Sequence, residues 1–150
     1  MRFSGLFRSL SRAALGGVFI VSGFQKLLSP PQNFAAVIDK FEVIHGPAVS
    51  VLALVLPWVE FIGGVMLLLG LWTRFALPVL WAMNTAFIGI LGSALVRKLP
   101  VNECGCFGKA LSIPLPVMFG VDAALWALFL FCFLSKDKPS LSLDSYLARA

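Results

Sequence analysis

Between Pro47 and Leu71 the chain carries one charged side chain, Glu60, and between Phe75 and Val96 it carries none. A helix needs about 20 apolar residues to cross the hydrocarbon of a bilayer, and in lipid a lone segment can satisfy its own backbone only as a helix. Two shorter apolar runs, Ala13 to Leu28 and Val117 to Leu134, complete a set of four. The composition is 59% hydrophobic and 13% charged, against about 25% charged in a soluble domain. Four spans and their connections use up the 150 residues. The expectation is therefore one all-α integral membrane domain over 1–150: a four-helix bundle with spans at about 13–28, 48–71, 75–96 and 117–134, and a polar cytoplasmic tail over 135–150.

The connections follow from local chemistry. Ser29-Pro30-Pro31 ends the first helix, since proline lacks an amide donor and disfavours a helical residue before it. Phe34, Val37, Ile38 and Phe41 then recur at helical spacing among Asp39, Lys40 and Glu42, which predicts a short extracytoplasmic helix lying on the membrane surface. Trp72-Thr73-Arg74 is so short a turn that the second and third spans must be antiparallel neighbours. The first run, preceded by Arg2, Arg8 and Arg12, also has the layout of a secretory signal peptide. It lacks a clean small-residue cleavage site, and Gly16, Gly17 and Gly23 suit close helix packing, so it is read as a span.

A formal charge of +5 could indicate nucleic acid, but the basic residues form no stripe; they gather at the ends of apolar runs, which excludes that reading. Arg2, Arg8, Arg12, Arg74, Lys136, Lys138 and Arg149 fall on one side, and Lys26, Lys40, Arg97, Lys98 and Lys109 on the other. Positive charge accumulates on the cytoplasmic side, and the first helix tends to dominate. The expected placement is the bacterial inner membrane, multi-pass, with both termini cytoplasmic and the loop from Arg97 to Pro116 in the periplasm. Lipid is the first partner, and a homo-oligomer is compatible with the chain. Trp58, Trp72, Trp81 and Trp126 read as interface anchors or core aromatics.

That loop holds Cys104-Gly105-Cys106. Two thiols one residue apart can close a small, strained disulfide, which is easily passed on, and Gly105 supplies the backbone freedom for it. Arg97, Lys98 and Lys109 against Glu103 leave the loop positive, which favours thiolate. Three readings stay open: a redox relay through Cys104 and Cys106, a soft-metal site for Cu(I), and a structural disulfide. Zinc would need further ligands, and His45 is the single histidine, so no metal is assigned. Cys132 lies about 24 Å along a helix from Pro116 and reads as a packing residue near the cytoplasmic face.

Glu60 sits near the middle of its span, where an ionised carboxylate must be paired or protonated. Gly63, Gly64 and Leu67 share its helical face and allow close packing there. Asn84 is expected at similar depth and able to share a hydrogen bond with Glu60; Lys26 and Asp122 lie toward the outer ends of their spans, with Lys26 able to reach either acid. These four residues read either as a polar clasp fixing the bundle or as a proton path. Nothing in the sequence specifies a quinone pocket, and quinone stays open as a cofactor.

The order of Arg12-Ala-Ala-Leu-Gly-Gly-Val-Phe-Ile-Val-Ser-Gly-Phe-Gln-Lys26-Leu, Glu60-Phe-Ile-Gly-Gly64, Gly70-Leu-Trp-Thr-Arg74 and Cys104-Gly-Cys-Phe-Gly108 resembles the MauE branch of the DoxX-like membrane proteins over nearly all of residues 12–134. The resemblance implies a four-helix bundle that works with periplasmic thioredoxin-like partners in the maturation of disulfide-rich proteins, as proposed for methylamine dehydrogenase. It also implies that Phe107 and Gly108 belong to the cysteine loop motif. Other DoxX-like proteins are linked to quinone-coupled sulfur oxidation, so the implied activity is that of a thiol-disulfide oxidoreductase with quinone coupling open.

Overall fold

The computed structural model of the chain describes residues 2–98 and 114–135. They form five helices and no strand: α1 (Arg2–Leu28), α2 (Pro31–Lys40), α3 (Pro47–Leu69), α4 (Thr73–Arg97) and α5 (Leu115–Leu134). The tail expected over 135–150 lies, beyond Ser135, outside the described residues.

The helix boundaries follow the punctuation of the sequence. Pro31 occupies the first helical position of α2, where a missing amide costs nothing, and α1 and α2 meet at a bend of 110°. Helix α3 ends at Gly70, whose φ of 69° is left-handed. Its amide bonds to the Leu67 carbonyl at 3.2 Å and that of Leu71 to Met66 at 2.9 Å, so the last carbonyls of α3 are satisfied before α4 begins at Thr73.

Helices α3, α4 and α5 are each long and apolar enough to cross a membrane, while α1 reaches that standard only together with α2 across their bend, giving three to four candidate spans. Helix α1 begins at Arg2 and runs through Arg8 and Arg12 before it reaches the apolar run from Ala13. The reason lies in packing. Arg12 is buried, and its guanidinium lies so close to Gly70 that a Cβ there would come within 2.7 Å of it. Arg12 therefore caps the inside of the bundle end and does not mark where the helix stops.

Glycine sets a close backbone contact between α1 and α3. A Cβ on Gly16 would lie 2.7 Å from the Gly64 carbonyl oxygen, and one on Gly64 would lie 2.8 Å from the Gly16 oxygen. Small residues facing each other let two backbones touch, which replaces the absent hydrophobic drive in lipid with dispersion contact. Gly17 faces open space and plays no part in this seam.

The interior divides into two ends. At one, Leu15 and Phe19 of α1, Leu67 of α3, Leu77 and Leu80 of α4, and Phe129 and Cys132 of α5 form one cluster. At the other, Phe41 joins Leu91 and Ala94 of α4 to Leu115 and Met118 of α5. The second cluster stands where α4 runs out toward the cysteine loop and α5 returns from it. Cys132 is free, 2% exposed and in the opposite cluster, in keeping with a packing role.

Candidate functional site

The buried residues Lys26, Glu60, Asn84 and Asp122 lie between those two clusters, lining one space with Phe19 and Leu125 of the first and Met118 of the second. At Gly23 a Cβ would come within 2.7 Å of the Phe61 amide and 3.0 Å of the Glu60 Cβ, so α1 presses its backbone against α3 at the level of the acid. Ser22 and Lys26 are four residues apart, hence on one face of α1 beside that contact. Both reach Glu60. The Lys26 ammonium donates to Glu60 Oε1 at 2.6 Å and Oε2 at 2.8 Å, and the Ser22 hydroxyl donates to Oε2 at 3.0 Å.

Lys26 and Glu60 are 4% and 1% exposed, so this is a fully buried ion pair. Two charges removed from water repay their desolvation only with close geometry and further hydrogen bonds, and here both carboxylate oxygens and the serine meet that condition. Aromatic rings shield the cation: Lys26 Nζ lies 4.9 Å from the centroid of Phe34 on α2 and 5.2 Å from that of Phe87 on α4.

Asn84 and Asp122 form the other half. The Asn84 amide donates to Asp122 Oδ1 at 3.4 Å, and the two residues are 2% and 6% exposed. This corrects the expectation that Asn84 would share a hydrogen bond with Glu60. Depth along two helices was matched correctly, but the rotation of α4 turns Asn84 to α5, while Glu60 is already occupied by α1. Of the two acids within reach, Lys26 takes Glu60.

All four side chains, with Ser22 and Phe87, line one cavity of ≈ 30 Å³. That is room for a water molecule, which needs about 10–15 Å³, and far short of the roughly 300 Å³ of a small-molecule pocket. The space as it stands fits a water molecule. Asp122 is eight residues beyond Pro114, so it lies about 12 Å down α5 from the end facing the cysteine loop.

Sequence reasoning picked out Lys26, Glu60, Asn84 and Asp122 and missed Ser22, Phe34 and Phe87. Ser22 was detectable through its spacing from Lys26; the two rings were not, because they come from other helices. Trp81 and Trp126 stack on each other at 5.9 Å between ring centroids, and Trp126 Nε1 donates to Thr85 Oγ1 at 3.2 Å. They therefore join α4 to α5, whereas Trp58 and Trp72 are exposed, Trp58 beside the mid-span Glu60 and so away from either end of α3.

Cys104, Gly105, Cys106, Phe107 and Gly108 lie outside the described residues. Among the described residues no group of three His, Cys, Asp or Glu side chains is arranged to hold a metal ion.

Comparison with known proteins returns no match among curated proteins and none among solved structures. A family model described as Methylamine utilisation protein MauE matches residues 4–135, a stretch that takes in the glycine seam, the buried ion pair, its Asn84–Asp122 neighbour and the cysteine loop. The chain belongs to the MauE family of membrane proteins.

Proposed function

We propose that this chain is the membrane component of a thiol-disulfide relay, exchanging electrons with a periplasmic thioredoxin-like protein during the maturation of disulfide-containing proteins, with methylamine utilisation as its setting. The observation that carries the reading is Cys104-Gly-Cys106 between α4 and α5 in a chain of the MauE family. A thiolate of the loop attacks one sulfur of a partner disulfide, forms a mixed disulfide and expels the other partner sulfur as thiolate. The second loop thiolate then attacks the mixed bond, closing Cys104–Cys106 and leaving the partner with both sulfurs reduced. Two electrons pass to the partner, and the same steps in reverse return them.

In this reading α1 is the fourth span, α2 rests on the extracytoplasmic surface, and both termini are cytoplasmic. The prevalence of Arg2, Arg8, Arg12 and Arg74 at the end away from the cysteine loop supports that orientation. The Lys26–Glu60 pair acts as a clasp that holds α1 on α3 and so fixes the frame from which the loop projects.

Replacement of both loop cysteines by serine tests the relay. The account predicts loss of partner oxidation or reduction with unchanged thermal stability. A protein that loses stability instead would make the bond structural, and one that loses bound copper would make the loop a metal site.

A further inference from the structure

The chamber between the helices is incompletely satisfied. Asn84 Oδ1 and Asp122 Oδ2 are buried acceptors with no hydrogen-bond donor, and both belong to side chains lining the ≈ 30 Å³ cavity. Two orphan acceptors on one water-sized space call for a molecule that offers two donors and fits the space, and water does both.

Charge points the same way. Lys26 contributes one positive charge, while Glu60 and Asp122 would contribute two negative ones if both were ionised. A net negative cluster enclosed by lipid-facing helices is unfavourable unless a positive charge completes it. The charged groups acting on Asp122 are Lys26 from α1 and Glu60 from α3, and α4 meets it with neutral Asn84. A metal cation is a poor completion, because the Lys26 ammonium already occupies the chamber wall and hard cations take six or more oxygens. A proton remains.

We propose that this chamber is a proton-binding site, holding one ordered water and one exchangeable proton carried by Asp122. Geometry chooses Asp122 over Glu60. Both Glu60 oxygens already accept from Lys26, at 2.6 and 2.8 Å, so neither is left open for a further proton. Asp122 has only the 3.4 Å contact with Asn84, and its second oxygen is free to take the proton. Protonated at Oδ2, Asp122 donates to the water, which donates in turn to Asn84 Oδ1; ionised, it accepts from the water instead, and this exchange gives the bundle a protonation state of its own, independent of the cysteine chemistry.

Infrared spectroscopy of the full chain in lipid nanodiscs tests this without any variant. With isotope-labelled aspartate, the expected result is a carbonyl band of a protonated carboxyl at neutral pH. That band moves with the label, moves again in heavy water, and disappears as a single proton is titrated off at raised pH. The chain's other aspartates are Asp39, Asp137 and Asp144, and the Asp122 variant separates their contribution from that of Asp122. In Asp122→Asn the band is lost. It is also lost at neutral pH in Glu60→Gln, because Lys26 is then freed to pair with Asp122. No protonated-carboxyl band, a band that ignores the aspartate label, a band that persists in Asp122→Asn, or one that does not respond to heavy water would each overturn the proposal.

Discussion

Replacing Lys26 by methionine keeps most of the side-chain volume and removes only the ammonium. In the folded protein Glu60 would then retain the Ser22 hydroxyl, at 3.0 Å, in place of three donated hydrogen bonds. Breaking one side of a buried pair typically costs about 3–5 kcal/mol, because the surviving charge stays enclosed. At about 1.4 kcal/mol per tenfold change, that is a loss of roughly two to three and a half powers of ten in the folding equilibrium. Glu60 at 1% exposure cannot recover the loss from water. The double variant Lys26→Met/Glu60→Met removes both charges and should return to within about 1 kcal/mol of the wild type. Lys40→Ala, at an exposed position of α2, should stay within about 0.5 kcal/mol. Reversible unfolding in mixed micelles, followed by tryptophan fluorescence, measures these three variants and Glu60→Met against the wild type. Lys26→Met or Glu60→Met within about 1 kcal/mol of wild type, or a double variant that merely adds their two losses, would refute the claim that the pair is a closed unit.

Further outcomes follow from contacts elsewhere in the bundle. Gly64→Ala should lose about 1–3 kcal/mol because its new methyl meets the α1 backbone, while Gly17→Ala, which faces open space, should be neutral or slightly stabilising in the same unfolding assay. Gly70→Ala combines a left-handed φ of 69° with a collision against the Arg12 guanidinium and should lower the thermal midpoint more than Gly17→Ala changes it. An impermeant maleimide added to intact, reduced spheroplasts should label the 104–106 loop and leave Cys132, which is 2% exposed, unlabelled; labelling of the loop only after the membrane is opened would reverse the orientation.

A charge inside an apolar run is conspicuous in a sequence, which is why Glu60, Lys26 and Asp122 were readable as interior groups. Their pairing was only half readable. Helix rise fixes how deep a residue lies, so Asn84 and Glu60 could be matched in level, but no local signal fixes the rotation of α4, and Asn84 turned out to face Asp122. The α1–α3 seam shows the same division: Gly16, Gly17 and Gly23 all suit close packing by type, yet only Gly16 and Gly23 meet another backbone. Arg12 was read only as part of the basic start ahead of the first apolar run, and its contact with Gly70, far away in the chain, has no local signal. The aromatic cover on Lys26 comes from Phe34 and Phe87, two helices that periodicity cannot bring together.

The relay itself is tested most directly by trapping its intermediate. Cys104→Ser and Cys106→Ser each leave one loop thiol, and the thiol that attacks first cannot be displaced once its resolving neighbour is gone. The account predicts that one of the two variants accumulates a mixed disulfide with a thioredoxin-like protein, visible as a reducible adduct and identified by mass spectrometry, while the other accumulates little. No adduct from either variant, together with a wild-type midpoint potential below roughly −300 mV, the range of structural disulfides, would contradict it.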